Sequence, residues 1–235
     1  IKNNPSDTVN FLVKLNGCKH VTFKKITFKT LSVPFVKQIV LTNGASYNRF
    51  QNCVFNAEEQ DCNSGNYDFG IVIHDEPSDK KQEYNHFINN KIIGGCIGIS
   101  LEGKADELEK GNQITGNEFT KQDHKAVGVV YNESGFFNHN TVMYEGDSTA
   151  VTFRVDRVYE IQGNSIFSGG NKALFIDTFK AKEPKLGDFE GLSVINNKIS
   201  CPKGNAINGK EIEGLFLGHN TLFNRSDSHF TIYLD

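Results

Sequence analysis

One short pattern constrains the folding of this chain more than any other feature: Asn, any residue, then an apolar residue. It occurs as Asn52-Cys53-Val54, Asn90-Lys91-Ile92, Asn117-Glu118-Phe119, Asn140-Thr141-Val142, Asn164-Ser165-Ile166, Asn197-Lys198-Ile199 and Asn220-Thr221-Leu222. Subtracting successive Asn positions gives steps of 38, 27, 23, 24, 33 and 23 residues. The short steps cluster and the long ones carry insertions, which is the signature of one small structural unit repeated along the chain. A weaker copy, Lys25-Ile26-Thr27-Phe28, precedes the first.

A short apolar run stands before each Asn, as in His86-Phe87-Ile88, Gly135-Phe136-Phe137, Tyr159-Glu160-Ile161 and Gly214-Leu215-Phe216-Leu217. A second run follows it and opens with a small residue. Examples are Gly70-Ile71-Val72-Ile73, Gly98-Ile99-Ser100-Leu101, Gly128-Val129-Val130-Tyr131, Ala150-Val151-Thr152-Phe153, Ala173-Leu174-Phe175-Ile176 and Ala206-Ile207. Alternation and β-branched or aromatic content make these runs strands. Helical periodicity is confined to a weak stretch at 105–110. A unit this small cannot bury its own apolar face, so it must stack on copies of itself, about 4.8 Å apart. Equivalent side chains then form ladders, and an Asn repeated at one bend can hydrogen-bond to its copy in the next coil.

These residues resemble the right-handed parallel β-helix proteins of the pectin-lyase-like superfamily. The likeness is carried by Phe87-Ile88-Asn89-Asn90-Lys91-Ile92, by Val194-Ile195-Asn196-Asn197-Lys198-Ile199 and by their copies, and it runs through nearly the whole chain. It implies an all-β fold: a single β-helix domain over 1–235, a solenoid of about eight to nine coils. The chain opens and closes on strand-like runs without polar caps, which is expected of a piece of a longer chain with flanking coils or domains.

The net charge of −3 lacks the basic footprint of a nucleic-acid binder. No stretch approaches the length of a membrane span. The five cysteines include no C-x-x-C pair and read as buried thiols, with Cys53 and Cys62 the one nearby pair able to close a loop. The resemblance implies an extracellular, cell-surface or periplasmic location.

Insertions at 74–84, 102–110 and 177–191 all follow the second strand run, so they should pile up along one flank, where solenoids often bind ligands. Aligned on the small residue that opens each run, the position just past the strand reads His74, Glu102, Asn132, Arg154 and Asp177, then Lys210 and Asp235. Asp75, Glu76, Lys104, Asp156, Arg157 and Lys180 lie close by in sequence. Such a column suits an extended polysaccharide partner. An enzyme of this kind would be a polysaccharide lyase or a glycoside hydrolase or epimerase. By analogy with relatives that cleave acidic polysaccharides by β-elimination, Arg154 would neutralise a uronate carboxylate and His74 or Lys104 would take the proton. Glu102, Asn132, Asp177, Asp156 and Arg157 would line the substrate, and Glu102, Asp156 and Asp177 could hold Ca²⁺.

The alternative is a non-catalytic adhesin, tailspike-like shaft or sugar-binding module. No Trp occurs, and the aspartate-rich motifs of the calcium-dependent or acid-pair relatives are missing from the sequence. His139 and His219, each just before a repeat Asn, should point away from the core. Tyr67, Tyr84 and Tyr233 are possible platforms for sugars. Asn132-Glu133-Ser134 and Asn224-Arg225-Ser226 match glycosylation acceptors by pattern.

Overall fold

The structure, a computed structural model, describes residues 10–30, 36–57, 62, 70–155, 159–178, 191–212, 214–225 and 230–235. All of its sheets are parallel stacks. A long sheet runs from Asn10–Asn16 through seven further coils to Ile232–Leu234, and two sheets of eight short strands complete the coil. Every described strand pair within these sheets is parallel, so each strand meets its own copy in the next coil.

The interior follows from this register. In the long sheet Ile39, Ile73, Ile99, Val127, Val151, Leu174 and Ile207 form one inward ladder. Phe23, Phe50, Phe87, Ile114, Phe137, Ile161, Val194 and Leu217 form another in the second sheet. Phe23 stacks on Phe50 and Phe50 on Phe87, with ring centroids 5.1 and 5.4 Å apart. Ladder members from Phe50 to Val194 have no exposed surface, which places the core along the solenoid axis.

The repeat Asn residues form the expected ladder. From Asn117 to Asn220 each Oδ1 accepts both the backbone N–H and the Nδ2–H of the preceding Asn, at 2.8–3.1 Å. The residue just before this position has positive φ in every coil: Lys25, Asn52, Asn89, Gly116, His139, Gly163, Asn196 and His219, between 52° and 69°. The bend requires a left-handed residue, which Gly and Asn adopt most easily. Asn52 is therefore not a ladder member, as its sequence pattern suggested. Val54 pairs with Lys91, so Cys53 holds the ladder position, and its N–H donates to Asn90 Oδ1 at 2.8 Å.

A second, shorter ladder was missed in the sequence. Asn48 donates through N–H and Nδ2 to Asn85 Oδ1, both at 3.1 Å, and Asn85 N–H donates to Asn112 Oδ1 at 2.9 Å. These residues carry the same Asn-x-apolar signature five positions ahead of the first set.

Of the three expected insertions, those at 74–84 and 102–110 leave the long sheet for the second sheet at one corner, and 179–190 of the third lie outside the described residues. The stretch 105–110 forms a turn and the short strand Glu109–Lys110 rather than helix. Cysteine usage differs from expectation: Cys62 and Cys96 form a disulfide across 34 residues, whereas Cys53 and Cys201 are buried thiols and Cys18 is an exposed one. The bridge joins a loop residue to the start of the next coil, a proximity that sequence spacing conceals.

Candidate functional site on the outer face of the long sheet

Register decides which polar residues share a face. Gly98, Ala126, Ala150, Ala173 and Ala206 occupy one position in successive coils. Space there is tight, since a Cβ on Gly98 would lie 2.5 Å from the Ala126 carbonyl oxygen. Gly70 and Gly128 are each two residues out of step with that position, and this corrects the expected column. His74 pairs with Ser100, not with Glu102, and Gly128 follows Ser100. The outward rim reads Glu76, Glu102, Val130, Arg154, Asp177 and Lys210, and the adjacent outward column reads His74, Ser100, Gly128, Thr152, Phe175 and Asn208.

Asn132 leaves the face altogether. A β-bulge between Val130 and Asn132 places Tyr131 at φ 55° and Asn132 opposite Val155. The Asn132 side chain is fully buried and accepts the Asn112 amide at 2.9 Å. It can neither touch a ligand nor carry a glycan.

Two charged clusters flank the small residues of this face. In the first, Lys37 Nζ donates to His74 Nδ1 at 2.7 Å and to Glu76 Oε1 at 2.9 Å. Lys14 reaches Glu76 at 3.7 Å. His74 Nε2 lies 3.3 Å from Glu102 Oε1, which also accepts the Ser100 hydroxyl at 2.6 Å. With Nδ1 accepting from Lys37, the imidazole proton belongs on Nε2, facing Glu102. Partial burial pushes the Glu76 carboxyl up, but the hydrogen bond and charge of Lys37, with His74 and Lys14, hold it below its ordinary range. Glu102 is likewise lowered: burial opposes this, and His74, the Ser100 hydroxyl and Lys37 outweigh it.

In the second cluster Arg154 Nε sits 3.3 Å from Asp177 Oδ2, and its guanidinium lies 5.0 Å from the centre of the Tyr131 ring. The Arg154 side chain is 43% exposed. Between the clusters Ser100, Gly128 and Thr152 leave a shallow trough floor. A Cβ on Gly128 would meet the end of the Lys125 side chain at 3.4 Å and the Ser100 hydroxyl at 3.8 Å.

The structure thus brings His74 and Glu102 together, and Arg154 with Asp177, but not the two groups with each other. Arg154 stands two coils beyond Glu102, about 10 Å along the axis. Lys104 lies on the flanking loop, 3.5 Å from the exposed Asp79. Glu102 and Asp177 are three coils apart, about 14 Å, too far to share an ion. Among the described residues no group of three or more acidic, His or Cys side chains could hold a metal, and Asp156, the third member of the expected Ca²⁺ set, lies outside them. Asp156, Arg157, Lys180 and Tyr67 lie outside the described residues. Tyr84 stacks on Tyr47, which stacks on His20, with centroids 5.0 and 5.1 Å apart, so its ring face is largely taken. Elsewhere a groove of about 230 Å³ lies over Gly135 and Gly191, lined by Phe136, Glu160 and Ser193.

The fold and this face define a parallel β-solenoid with a polar outer trough. No family model matches the chain, and no curated protein does. Among solved structures it is similar to the Dettilon tailspike protein (gp208), with 12% identity, a TM-score of 0.52 and coverage of 96% of this chain. The match takes in 55% of the tailspike chain, so this chain spans about half of that protein's length. At that identity the likeness establishes the parallel β-helix fold.

Proposed function

We propose that the chain is an extracellular or surface β-helix module, of pectin-lyase-like kind, that binds an extended polysaccharide along the outer face of its long sheet. The observation that carries this reading is the trough of Ser100, Gly128 and Thr152 between two fixed charged clusters. Its floor carries only short residues over three coils, with the end of the Lys125 side chain lying over Gly128, and its rim offers both donors (Arg154, Lys210) and acceptors (Glu102, Asp177) to a polyhydroxylated chain. The resemblance to a tailspike supports a polysaccharide as the partner. The Cys62–Cys96 disulfide supports an oxidising location. No helix among the described residues is long and apolar enough to cross a membrane.

Gly128 gives the sharpest test. Its φ is not in the left-handed region and a Cβ there makes only ordinary contacts, 3.4 Å with the Lys125 side chain and 3.8 Å with the Ser100 hydroxyl. Gly128→Leu should therefore displace the end of Lys125 and fill the trough, with the melting temperature as the control for folding. Binding to a glycan array should be lost in this variant and weakened in Arg154→Ala. Unchanged binding in both would remove the trough from consideration.

A lyase reading uses the same face, with Arg154 as neutraliser and His74 or Lys104 as base. His74 and Arg154 stand about 14 Å apart along the axis, three coils, so a single uronate does not reach both. Binding without turnover is the expected result. Unsaturated product from a uronate polysaccharide, abolished by Arg154→Ala, would establish the lyase instead.

A further inference from the structure

Beneath the first charged cluster lies a group for which the binding reading has no use. Asp75 occupies the inward ladder of the long sheet, where its neighbours are Leu41 and Leu101 and the next coils carry Val129, Phe153 and Ile176. Its side chain has no exposed surface, and neither carboxyl oxygen meets an N–H or hydroxyl donor among the described residues. An ionised carboxylate in that position would be desolvated and unpaired, which a protein core does not tolerate. The group within hydrogen-bonding reach is another carboxyl, Glu109, itself 2% exposed. That contact is a hydrogen bond only when one of the two keeps its proton.

The surroundings decide which one does. Glu109 Oε1 accepts the backbone N–H of Gln82 at 3.0 Å, and Oε2 faces Asn112 Nδ2 at 3.5 Å. Those donors favour charge on Glu109. Asp75 has none, and burial, then Glu109, Glu102 and Glu76, all disfavour its ionised form. Lys37, Lys14 and His74 face Glu76 and Glu102 on the outer side, and Glu83 adds a further negative charge near Glu109.

We propose that Asp75 and Glu109 share a single proton, and that this proton latches the insertion at 76–85 to the solenoid. Gln82 is the link. Its backbone is held by Glu109, while its Nε2 ties Glu76 O and Ser78 Oγ at 3.1 and 2.6 Å. Removing the proton places two like charges in the core, where the loop must detach to let water in. The latch does not depend on any ligand, so it stands or falls apart from the polysaccharide reading.

The sign is opposite to that of an ordinary paired carboxylate. A folded-state pKa above the unfolded value gives stability that is complete below the unfolded pKa and is lost as pH rises towards the folded one. Asp75→Asn supplies a permanent N–H donor in place of the proton. Above the ordinary carboxylate range, the wild-type melting temperature should fall relative to Asp75→Asn by at least about 3 °C. Amide exchange at 77–84, corrected for its intrinsic pH dependence, should speed up in the wild type alone. Parallel melting curves in the two proteins would overturn the latch. Should Asp75→Asn fail to fold, ¹³C titration of the wild-type side-chain carboxyls decides: both midpoints within the ordinary range would refute a shared proton.

Discussion

Single residues in this solenoid have consequences set by the ladder in which they stand. Asn140 is buried, accepts two bonds from Asn117, donates Nδ2–H to Ile114 O at 2.9 Å and to Asn164 Oδ1 at 3.1 Å, and has copies on both sides. Asn140→Ala orphans several of those groups at once, and we expect a loss of about 2–4 kcal/mol in denaturant unfolding, with the fold retained. Tyr159 is the reverse case. Its ring lies over Gly135, where a Cβ would come within 2.4 Å of it, and its hydroxyl has no partner among the described residues. Burial pushes that phenol well above its ordinary range. Tyr159→Phe removes the orphaned group without touching the packing and should raise stability by about 1 kcal/mol.

At the scale of the element, the disulfide and the outer network hold opposite ends of the same strands: Cys96 precedes Ile97–Glu102 and Glu102 closes it. Cys62–Cys96 closes a 34-residue separation across a long inter-coil connection, so the Cys62→Ser variant should lose about 2–4 kcal/mol in thermal unfolding. Glu76 and Glu102 both have lowered pKa values, and their contribution is present above the unfolded carboxylate range and lost as pH falls through the folded values. Glu76→Gln should therefore flatten the acid side of the stability profile while leaving its alkaline side to Asp75. Much of this element level was readable beforehand. The strand runs, the common corner of the insertions at 76–85 and 103–112, and the Arg154–Asp177 neighbours follow from periodicity. The bulge at Tyr131 did not, because one extra residue leaves the local alternation intact while turning Asn132 into the core.

For the molecule as a whole, each coil touches only its neighbours, so stability should add up coil by coil. Excising residues 140–163 joins one left-handed bend residue, His139, to the next ladder position, Asn164, and preserves the register of all three sheets. The shortened chain should keep its β-sheet circular dichroism, with a denaturant m-value reduced roughly in proportion to the surface removed. Loss of cooperative unfolding would show that the stack is not modular.

The sequence by itself determined the repeat, its strands and the solenoid, because a short unit with one apolar face has no way to bury that face except against its own copies. It also determined which corner carries the insertions. The tertiary structure alone decided the phase between coils. A two-residue shift keeps the inward and outward alternation unchanged, so composition could not tell Gly128 from Ala126 as the partner of Gly98. Only the close approach of the Ala126 carbonyl to Gly98 fixes that choice. The same register put Asp75 in a leucine ladder facing Glu109, a pairing between residues 34 positions apart that no local pattern announces.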